Sequence, residues 1–518
     1  MDVSSSSRAL THSTPSSVLD DFALLVIDII TAKLPLWSDA SRIAGCLNVW
    51  VLLSESCGKK GGSLQRVESF ALLSYNAAYE ALHSSPLSTS SLALLQGVGG
   101  GGEGWSSVPC IVRDLLGGSA AILSVCALSH GNFRKALRDI DTALLLLPPN
   151  AAVEDGVFQM IIKKARQGQE ESSISSISTV PFFVDSVTVE NIASLAETTM
   201  CSVHTTTKLQ RRNATLLNMN DYQLIFSGNI PTLISHSVDH WPALTSGGDG
   251  KNVVRDRRWC NLNYIASMLK GRGAPIEEGG HYASPNWCEK WENDLSQFVT
   301  QNLSTGSTGG VGSDGGGGGG GGDAPLRYLA QARLFDLIPE LQNDAPVPDS
   351  VFIEATRNAS EIRQLAWLGP CGTFSPLHTD VPHNYFVQVV GVKRVRLFPP
   401  GIISDAVIPR ALPPLDTNTS SLPEIALHAL LPVSPEIMKA SIELLESWKS
   451  NNSASASSLP PPELAWAALY PKYAQGTIEP LDFILRPGDA LFIPSGWWHS
   501  MSALSVSFSV SFWWEKKT

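Results

Sequence analysis

The sequence predicts an α+β protein in which a helical N-terminal third precedes a β-rich remainder. Through about residue 180, apolar residues recur at three- and four-residue spacing, as in Phe70, Leu73, Tyr75, Ala78, Tyr79 and Leu82, which is the period of an α-helix. From Val180 the texture changes to short runs punctuated by Pro, Gly and Trp, such as Pro181-Phe182-Phe183-Val184 and Pro231-Thr232-Leu233-Ile234, the pattern of short strands. Near the end, Val506, Phe508, Val510, Phe512 and Trp514 alternate with Ser505, Ser507, Ser509, Ser511 and Trp513, which places an oily and a mostly hydroxylic row on opposite faces of one strand. The hydroxylic face either lines a wet barrel interior or forms the exposed side of an antiparallel sheet.

At 518 residues the chain exceeds one ordinary core, and two or three domains are expected. Hydrophobic residues at 43% and charged residues at 16% indicate a folded rather than a disordered chain. With 48 acidic and 37 basic residues, a net charge of -11 and no run of Lys or Arg, the surface does not suit phosphate. Direct nucleic-acid binding is therefore not expected, and a basic peptide or protein segment is the better-matched partner. The eight cysteines are scattered without a C-x-x-C pair, which indicates neither a zinc site nor a disulfide framework. No secretory pattern is visible, and the apolar stretch Phe22 to Ile30, flanked by Asp20, Asp21 and Asp28, is too short to span a membrane. An intracellular location, nuclear or cytoplasmic, is expected; the oligomeric state is left open.

Two units are expected, a helical one over 1–179 and a β-rich one over 180–518. In the first, a glycine-rich break runs from Gly97 to Gly104, and Ala127 to Pro149, with Gly131-Asn132-Phe133 at its centre, reads as a helical hairpin. A helical cap is favoured over a peptide-binding repeat, because one hairpin cannot make a repeat array. Within the second unit, insertions are expected near 304–324, where eight consecutive glycines resist ordering, and near 446–462, which ends in a Ser, Ala and Pro tract.

In Thr373-Phe374-Ser375-Pro376-Leu377-His378-Thr379-Asp380, the His and Asp stand two apart, so an extended backbone turns both to one side. With a second imidazole they would hold a metal by one face and leave positions open for other ligands. His499 is the candidate for it, directly after the strand-like Asp489–Pro494 and the pair Trp497-Trp498. Alone, an H-x-D triplet carries little weight. Lys393 adds to it. Asn384 to Val390 reads as one strand, Gly391-Val392 as a break, and Lys393 to Leu397 as the next strand, in which Lys393 shares the parity of Val395 and Leu397 while Arg394 and Arg396 take the other face. A lysine turned into a core needs an anion: the carboxylate of a bound ligand, a core Asp or Glu, or escape of its tip to the rim.

Together, Trp367-Leu368-Gly369-Pro370, Ser375 to Asp380, Asn384 to Lys393, Leu485 to Pro494 and Phe508 to Trp514 resemble the jumonji-C branch of the cupin-type oxygenases. The resemblance continues upstream through His240-Trp241-Pro242, Pro275-Ile276-Glu277, His281-Tyr282, Tyr328 to Gln331 and Phe335 to Leu341, covering roughly 180–518. It implies a double-stranded β-helix, a jelly-roll of cupin type, with its metal-binding core at about 365–518. It also implies Fe(II) on His378, Asp380 and His499, with 2-oxoglutarate as cosubstrate and dioxygen as oxidant. Lys393 would pair with the distal carboxylate of 2-oxoglutarate; Tyr282, Ser375 and Asn384 would hydrogen-bond it, and Trp513 would wall its pocket. No catalytic residue beyond these ligands is implied. The sequence departs from the family pattern in its glycine run and in a long insertion between Pro400 and Tyr473, both expected to border the substrate groove.

The reaction implied is hydroxylation of a protein side chain, arginine in first place, with release of succinate and carbon dioxide. Hydroxylation of an N-methyl group, which makes the enzyme a lysine demethylase, is the alternative. A non-catalytic cupin-like adaptor is the reading from another class; the presence of all three ligands together with the lysine weighs against it.

Overall fold

A computed structural model describes residues 110–146, 155–172, 186–201, 209–245, 256–303, 325–401, 418–451 and 462–515, apart from 283, 285–286, 359, 430 and 478, together with 184 and a few positions between 68 and 76. The glycine-rich stretches at 97–104 and 304–324, the candidate span at 22–30 and the tract at 452–461 lie outside the described residues. No described helix is long and apolar enough to cross a membrane. The chain divides into two compact units, one of 1–95, 105–179 and 271–273, the other of 96–104, 180–270 and 274–518.

The first unit contains α1 (Cys110–Ser129), α2 (Phe133–Leu146) and α3 (Asp155–Ser172). The expected hairpin is α1 and α2. Gly131 adopts φ 69°, and the N–H groups of Gly131 and Asn132 close back on the carbonyls of Leu128 and Ala127, so the turn satisfies the end of α1. The Asn132 side chain accepts from the Lys135 N–H at the start of α2, and Ser124 donates across to the Ala136 carbonyl at 2.6 Å. Ala120, Ala121, Ala136 and Ala143 are buried, which lets helix backbones approach closely.

The second unit opens with a helix, α4 (Ser186–Cys201), where strand-like texture was expected. Val189 and Ala193 are buried one helical turn apart, with Ala196 packed on the same cluster, and this spacing outweighs the local β-branched content. Among the described residues its strands are β1 (Gln210–Asn213), β2 (Thr232–Ser235), β3 (Ala274–Glu278), β4 (Cys288–Glu292), β5 (Arg327–Ala332), β6 (Arg363–Gly369), β7 (Phe374–Thr379), β8 (His383–Val390), β9 (Lys393–Phe398), β10 (Leu481–Leu485), β11 (Ala490–Ile493), β12 (Trp498–Ala503) and β13 (Ser507–Trp514). Nine form a sheet in the order β1-β2-β11-β8-β13-β6-β5-β3-β4, and four form a second in the order β10-β9-β12-β7. The two sheets face one another. Phe386, Leu491 and Ile493 of the first pack with Val395, Leu397, Phe483, Leu485 and Met501 of the second, giving the α+β jelly-roll that the sequence implied.

This core fixes which side of each strand is interior. On β9, Val395 and Leu397 are in it, so Lys393 faces inward by parity, and it is buried. Arg394 and Arg396 face outward, where both bind Asp482 of β10, Arg394 through Nε at 2.9 Å and Nη2 at 2.6 Å, Arg396 through Nη2 at 2.5 Å. On β13, Ser507, Ser509 and Ser511 are buried, so the hydroxylic face is interior rather than exposed. It is not loosely hydrated. Ser509 donates to Gln388 Oε1, Gln388 Nε2 donates to Ser507, and the Trp367 indole donates to Ser511. The opposite face packs aromatic on aromatic, with Phe508 stacked at 4.2 Å on Trp259 and Trp514 stacked on Phe492. Gly391 makes the β8–β9 turn at φ 75°, and a Cβ there would collide with the Val506 carbonyl.

The stretch expected to be an insertion near 446–462 begins inside a helix, α5 (Pro435–Asn451). Its buried Ser441 accepts from Ala468 N in the following helix, α6 (Pro462–Leu469), so the regular chain persists until the low-complexity tract. The long insertion after Pro400 supplies Leu422, Ala426, Leu427, Trp466 and Tyr473 to a cluster with Phe374, Phe398 and Trp498. These helical parts therefore cover the outer face of the four-stranded sheet. Residues 418–420 run beside β7, with Thr379 N bonded to the Asn418 carbonyl and Ser420 N to that of Leu377.

Asp482→Ala leaves two guanidinium groups against the outer face of β9 without their anion. A loss of about 3 kcal/mol is expected, read as a lower urea midpoint at unchanged slope.

Candidate metal centre and the pocket beside it

β7 and β12 are antiparallel neighbours, and their register sets His378 directly opposite His499. Met501 is opposite Ser375, so two steps on β12 answer three on β7. This extra residue is a bulge. It lets Ser375 and His378 both face inward, which strict alternation forbids. Asp380 follows as the chain leaves β7, its carbonyl held by Gly496 N at 2.9 Å. The ligand atoms of His378, Asp380 and His499 all lie within 4.8 Å of one another. His378 Nε2 is 3.9 Å and His499 Nε2 3.5 Å from the carboxylate oxygens of Asp380.

Each imidazole is oriented from behind. His378 Nδ1 meets the Pro376 carbonyl at 2.7 Å, and His499 Nδ1 meets the Trp497 carbonyl at 3.1 Å. A carbonyl only accepts, so both Nδ1 atoms carry the proton and both Nε2 atoms present a lone pair, the arrangement metal-binding histidines require. Burial, reinforced by the neighbouring His378, holds His499 well below the usual imidazole range, so it is neutral. Burial pushes the Asp380 carboxyl upward against the opposing charges of His378 and Arg363, and its Oδ2 is buried without a hydrogen-bond partner. Two imidazoles with Nε2 turned to a carboxylate whose Oδ2 has no hydrogen-bond partner are the donor set for a divalent transition metal, and Fe(II) fits it.

Lys393 is buried, and among the described residues no carboxylate pairs with it. Its ammonium donates to the Tyr328 hydroxyl at 3.2 Å and lies over the rings of Tyr328 and Phe386 at 5.6 and 5.2 Å. Burial pulls it down to about 7. Of the placements open at the sequence level, a core acid and escape to the rim both fail, and the cation is left for an anion from outside the chain. Asn384 and Trp513 are register partners on β8 and β13, and Asn384 shares the inward parity of Phe386. Asn384 Oδ1 and Trp513 Nε1 are both buried without partners. Interior polar groups in excess of their internal partners are what a bound polar ligand satisfies.

Tyr282 stands edge-on to His378, ring centres 6.2 Å apart at 89°, and Ser375 is half-buried on the interior side of β7. The phenol beside Lys393 is Tyr328, a residue the sequence reading quoted without assigning a role; its signal was its place in the buried, aromatic run Tyr328-Leu329. A second feature missed is acidic. Glu277 and Glu289 are cross-strand partners on β3 and β4, and Glu277 is also the partner of Tyr328 on β5. Burial pushes Glu277 up to about 7, and burial with the nearby Glu277 charge pushes Glu289 up to about 8.

Residues 222–518 match the cupin-like domain family. The chain belongs to that family. Its relatives are jumonji-C proteins. It is 26% identical over 468 residues to lysine-specific demethylase JMJ30 of Arabidopsis thaliana, which covers 87% of this chain and 86% of that protein. It is 32% identical over 296 residues to Jumonji C domain-containing protein 5 of Drosophila melanogaster, covering 56% of each, and 30% identical over 285 residues to lysine-specific demethylase 8 of Xenopus tropicalis, covering 55% of this chain and 48% of that protein. The match thus spans most of the plant relative and about half the length of the other two. Within the cupin-like family this chain is a jumonji-C oxygenase, an enzyme of the 2-oxoglutarate-dependent class.

Two measurements follow from the geometry. His499→Ala is expected to weaken Fe(II) or Co(II) binding, measured by titration under anaerobic conditions, by more than the roughly 10–100-fold that loss of an outer-shell partner costs. The second concerns protons. Lys393 titrates near 7 in the fold and near 10.4 when unfolded, so the unfolded chain binds the extra proton between those values and stability rises with pH across that window. A carboxylate bound to Lys393 raises its pKa. Above pH 7, 2-oxoglutarate binding is therefore expected to take up protons, seen by calorimetry in buffers of different ionisation enthalpy, with the uptake absent in Lys393→Met.

Proposed function

We propose that this chain uses Fe(II), 2-oxoglutarate and dioxygen to hydroxylate a side chain of a protein or peptide, with arginine as the first candidate. The observation that carries the reading is the buried Lys393 without a carboxylate, facing the same interior as three convergent metal ligands. Iron with its cosubstrate would supply the oxidising chemistry, converting 2-oxoglutarate and dioxygen to succinate and carbon dioxide while one oxygen atom enters a substrate C–H bond.

The chain's own residues do the rest. His378, Asp380 and His499 would hold the metal from one side and leave the other open. Lys393, with the Tyr328 hydroxyl beside it, would take the distal carboxylate of 2-oxoglutarate, and Ser375, Asn384 and Tyr282 would offer hydrogen bonds around it. In the register, His499 is level with Leu397, and Lys393 lies four residues further along β9, roughly 13 Å at about 3.3 Å per residue. An extended dicarboxylate together with a lysine side chain suits that separation. Trp513, Phe386 and Trp367 wall the interior and exclude water, which strengthens every electrostatic contact within it.

Glu277 and Glu289 support a cationic substrate side chain. Two carboxylates with raised pKa values are poised to ionise against a cation, and the forked guanidinium of arginine matches a carboxylate in two parallel hydrogen bonds. Lysine demethylation is the second reading, supported by the names of the Arabidopsis and Xenopus relatives. The two outcomes differ only in which carbon is held next to the metal.

The test is incubation of the purified chain with Fe(II), 2-oxoglutarate and basic peptides. Succinate formation that vanishes in His378→Ala is expected, with mass spectrometry showing gain of one oxygen on an arginine peptide. Turnover retained in that variant would sink the iron assignment, and loss of a methyl group from a methyl-lysine peptide, without gain of oxygen on arginine, would replace hydroxylation by demethylation.

A further inference from the structure

Arg363 begins β6, and its register partner is Trp513, which in turn partners Asn384. The three therefore stand side by side on the interior face of adjacent strands. The guanidinium carbon lies 5.4 Å from the Trp513 ring centre, a stacking arrangement that restrains a planar cation while leaving its N–H edge available. Among the described residues no hydrogen bond or ion pair engages that edge, and the residue is exposed. Other arginines of this unit are committed: Arg394 and Arg396 to Asp482, Arg327 to Glu278 and Glu292, Arg257 to Asp344. The register sets Arg363 beside Trp513 and Asn384, and its charge also acts on Asp380.

An exposed cation at this position is costly to the proposed function. A pocket with two glutamates for a basic side chain would repel its own substrate at the rim, unless the substrate brings an anion to that point. Lys393 already serves the interior for a carboxylate, whereas Arg363 is solvent-exposed, where a polypeptide flanking the modified residue would pass.

We propose that Arg363, held against Trp513, docks a carboxylate of the substrate segment, an Asp or Glu side chain close in sequence to the basic residue that enters the pocket. The enzyme would then select a basic target with an acidic neighbour. This rests on the reading of the pocket as a site for a basic protein side chain.

The test is equilibrium binding rather than turnover, so that failure of the oxygenase chemistry and failure of this proposal are separable. Fluorescently labelled arginine-centred peptides, with Asp walked through the positions on either side and an Asn twin for each, are titrated with the full chain. At one position Asp is expected to bind about tenfold tighter than Asn, as a charge-assisted forked pair allows, with the advantage shrinking as salt is raised. Arg363→Gln, which keeps a planar amide over Trp513, is expected to erase the difference between twins, and Arg363→Lys to retain part of it. Equal affinity of the twins at every position, including no binding of either, overturns the proposal, as does a preference that survives Arg363→Gln. A further arm separates the other source of a carboxylate: if Arg363→Gln weakens 2-oxoglutarate binding in calorimetry while the twins bind alike, the group serves the cosubstrate and the proposal falls.

Discussion

The pairing of β12 with β7 is the constraint from which the rest follows. Two histidines 121 residues apart in sequence become direct neighbours because His499 is opposite His378 in the ladder. A slip of one residue would turn either imidazole to the outer face, where Phe374, Phe398 and Trp498 pack against the inserted helices. Those helices thus serve the site without touching the metal ligands. By burying the outer face of the small sheet they make the register costly to change, and the paired arginines on Asp482 tie β9 to β10 across that same surface.

Given that register, the interior holds more polar groups than it can satisfy. The carboxylate oxygen of Asp380, the carbonyl oxygen of Asn384, the indole N–H of Trp513 and the ammonium of Lys393 are buried with few or no internal partners. Leaving a buried polar atom unpaired costs about 1–3 kcal/mol, and more for a charge. The serine and glutamine lattice on the same interior face is by contrast fully paired. Asp380, Asn384, Trp513 and Lys393 thus stand short of partners beside a serine and glutamine lattice that closes its hydrogen bonds, and a metal ion and a polar ligand would complete them.

Much of this was legible from residue order. The inward face of Lys393 follows from its parity with Val395 and Leu397, and the separation of a serine row from an oily row follows from alternation along β13; both depend only on the two-residue period of a strand, which left open whether the serines face the interior or solvent. The H-x-D triplet needed only an extended backbone. What alternation cannot supply is a change of phase. The bulge between β7 and β12, which brings Ser375 and His378 to one face, leaves no mark in composition. Tyr328 and Glu289 were opaque for a related reason. Each acquires meaning only through a neighbour on another strand, Tyr328 through Lys393 of the facing sheet and Glu289 through its ladder partner Glu277 on β3, and such neighbours are not written in either strand alone. The helix at Ser186–Cys201 was missed where a valine-rich start suggested a strand, although its buried residues keep helical spacing.

The distribution of charge separates two tasks that the fold must perform at once. The metal ligands and Lys393 lie on the four-stranded sheet, on β7, β9 and β12, whereas the acidic pair and Arg363 lie on the nine-stranded sheet, on β3, β4 and β6. Chemistry common to a large enzyme class demands fixed geometry, and in this chain it is carried by strands whose outer face is buried under helices. On the proposed function, selection of a substrate would fall to the opposing sheet, whose side chains at Glu277, Glu289 and Arg363 lie outside the β7–β12 register. Substitutions at Glu289 or Arg363 can therefore shift which side chain is presented while leaving the β7–β12 ladder intact. On the proposed function, arginine hydroxylation and lysine demethylation would differ by side chains on one wall, with the His378, Asp380 and His499 cluster on the other held constant.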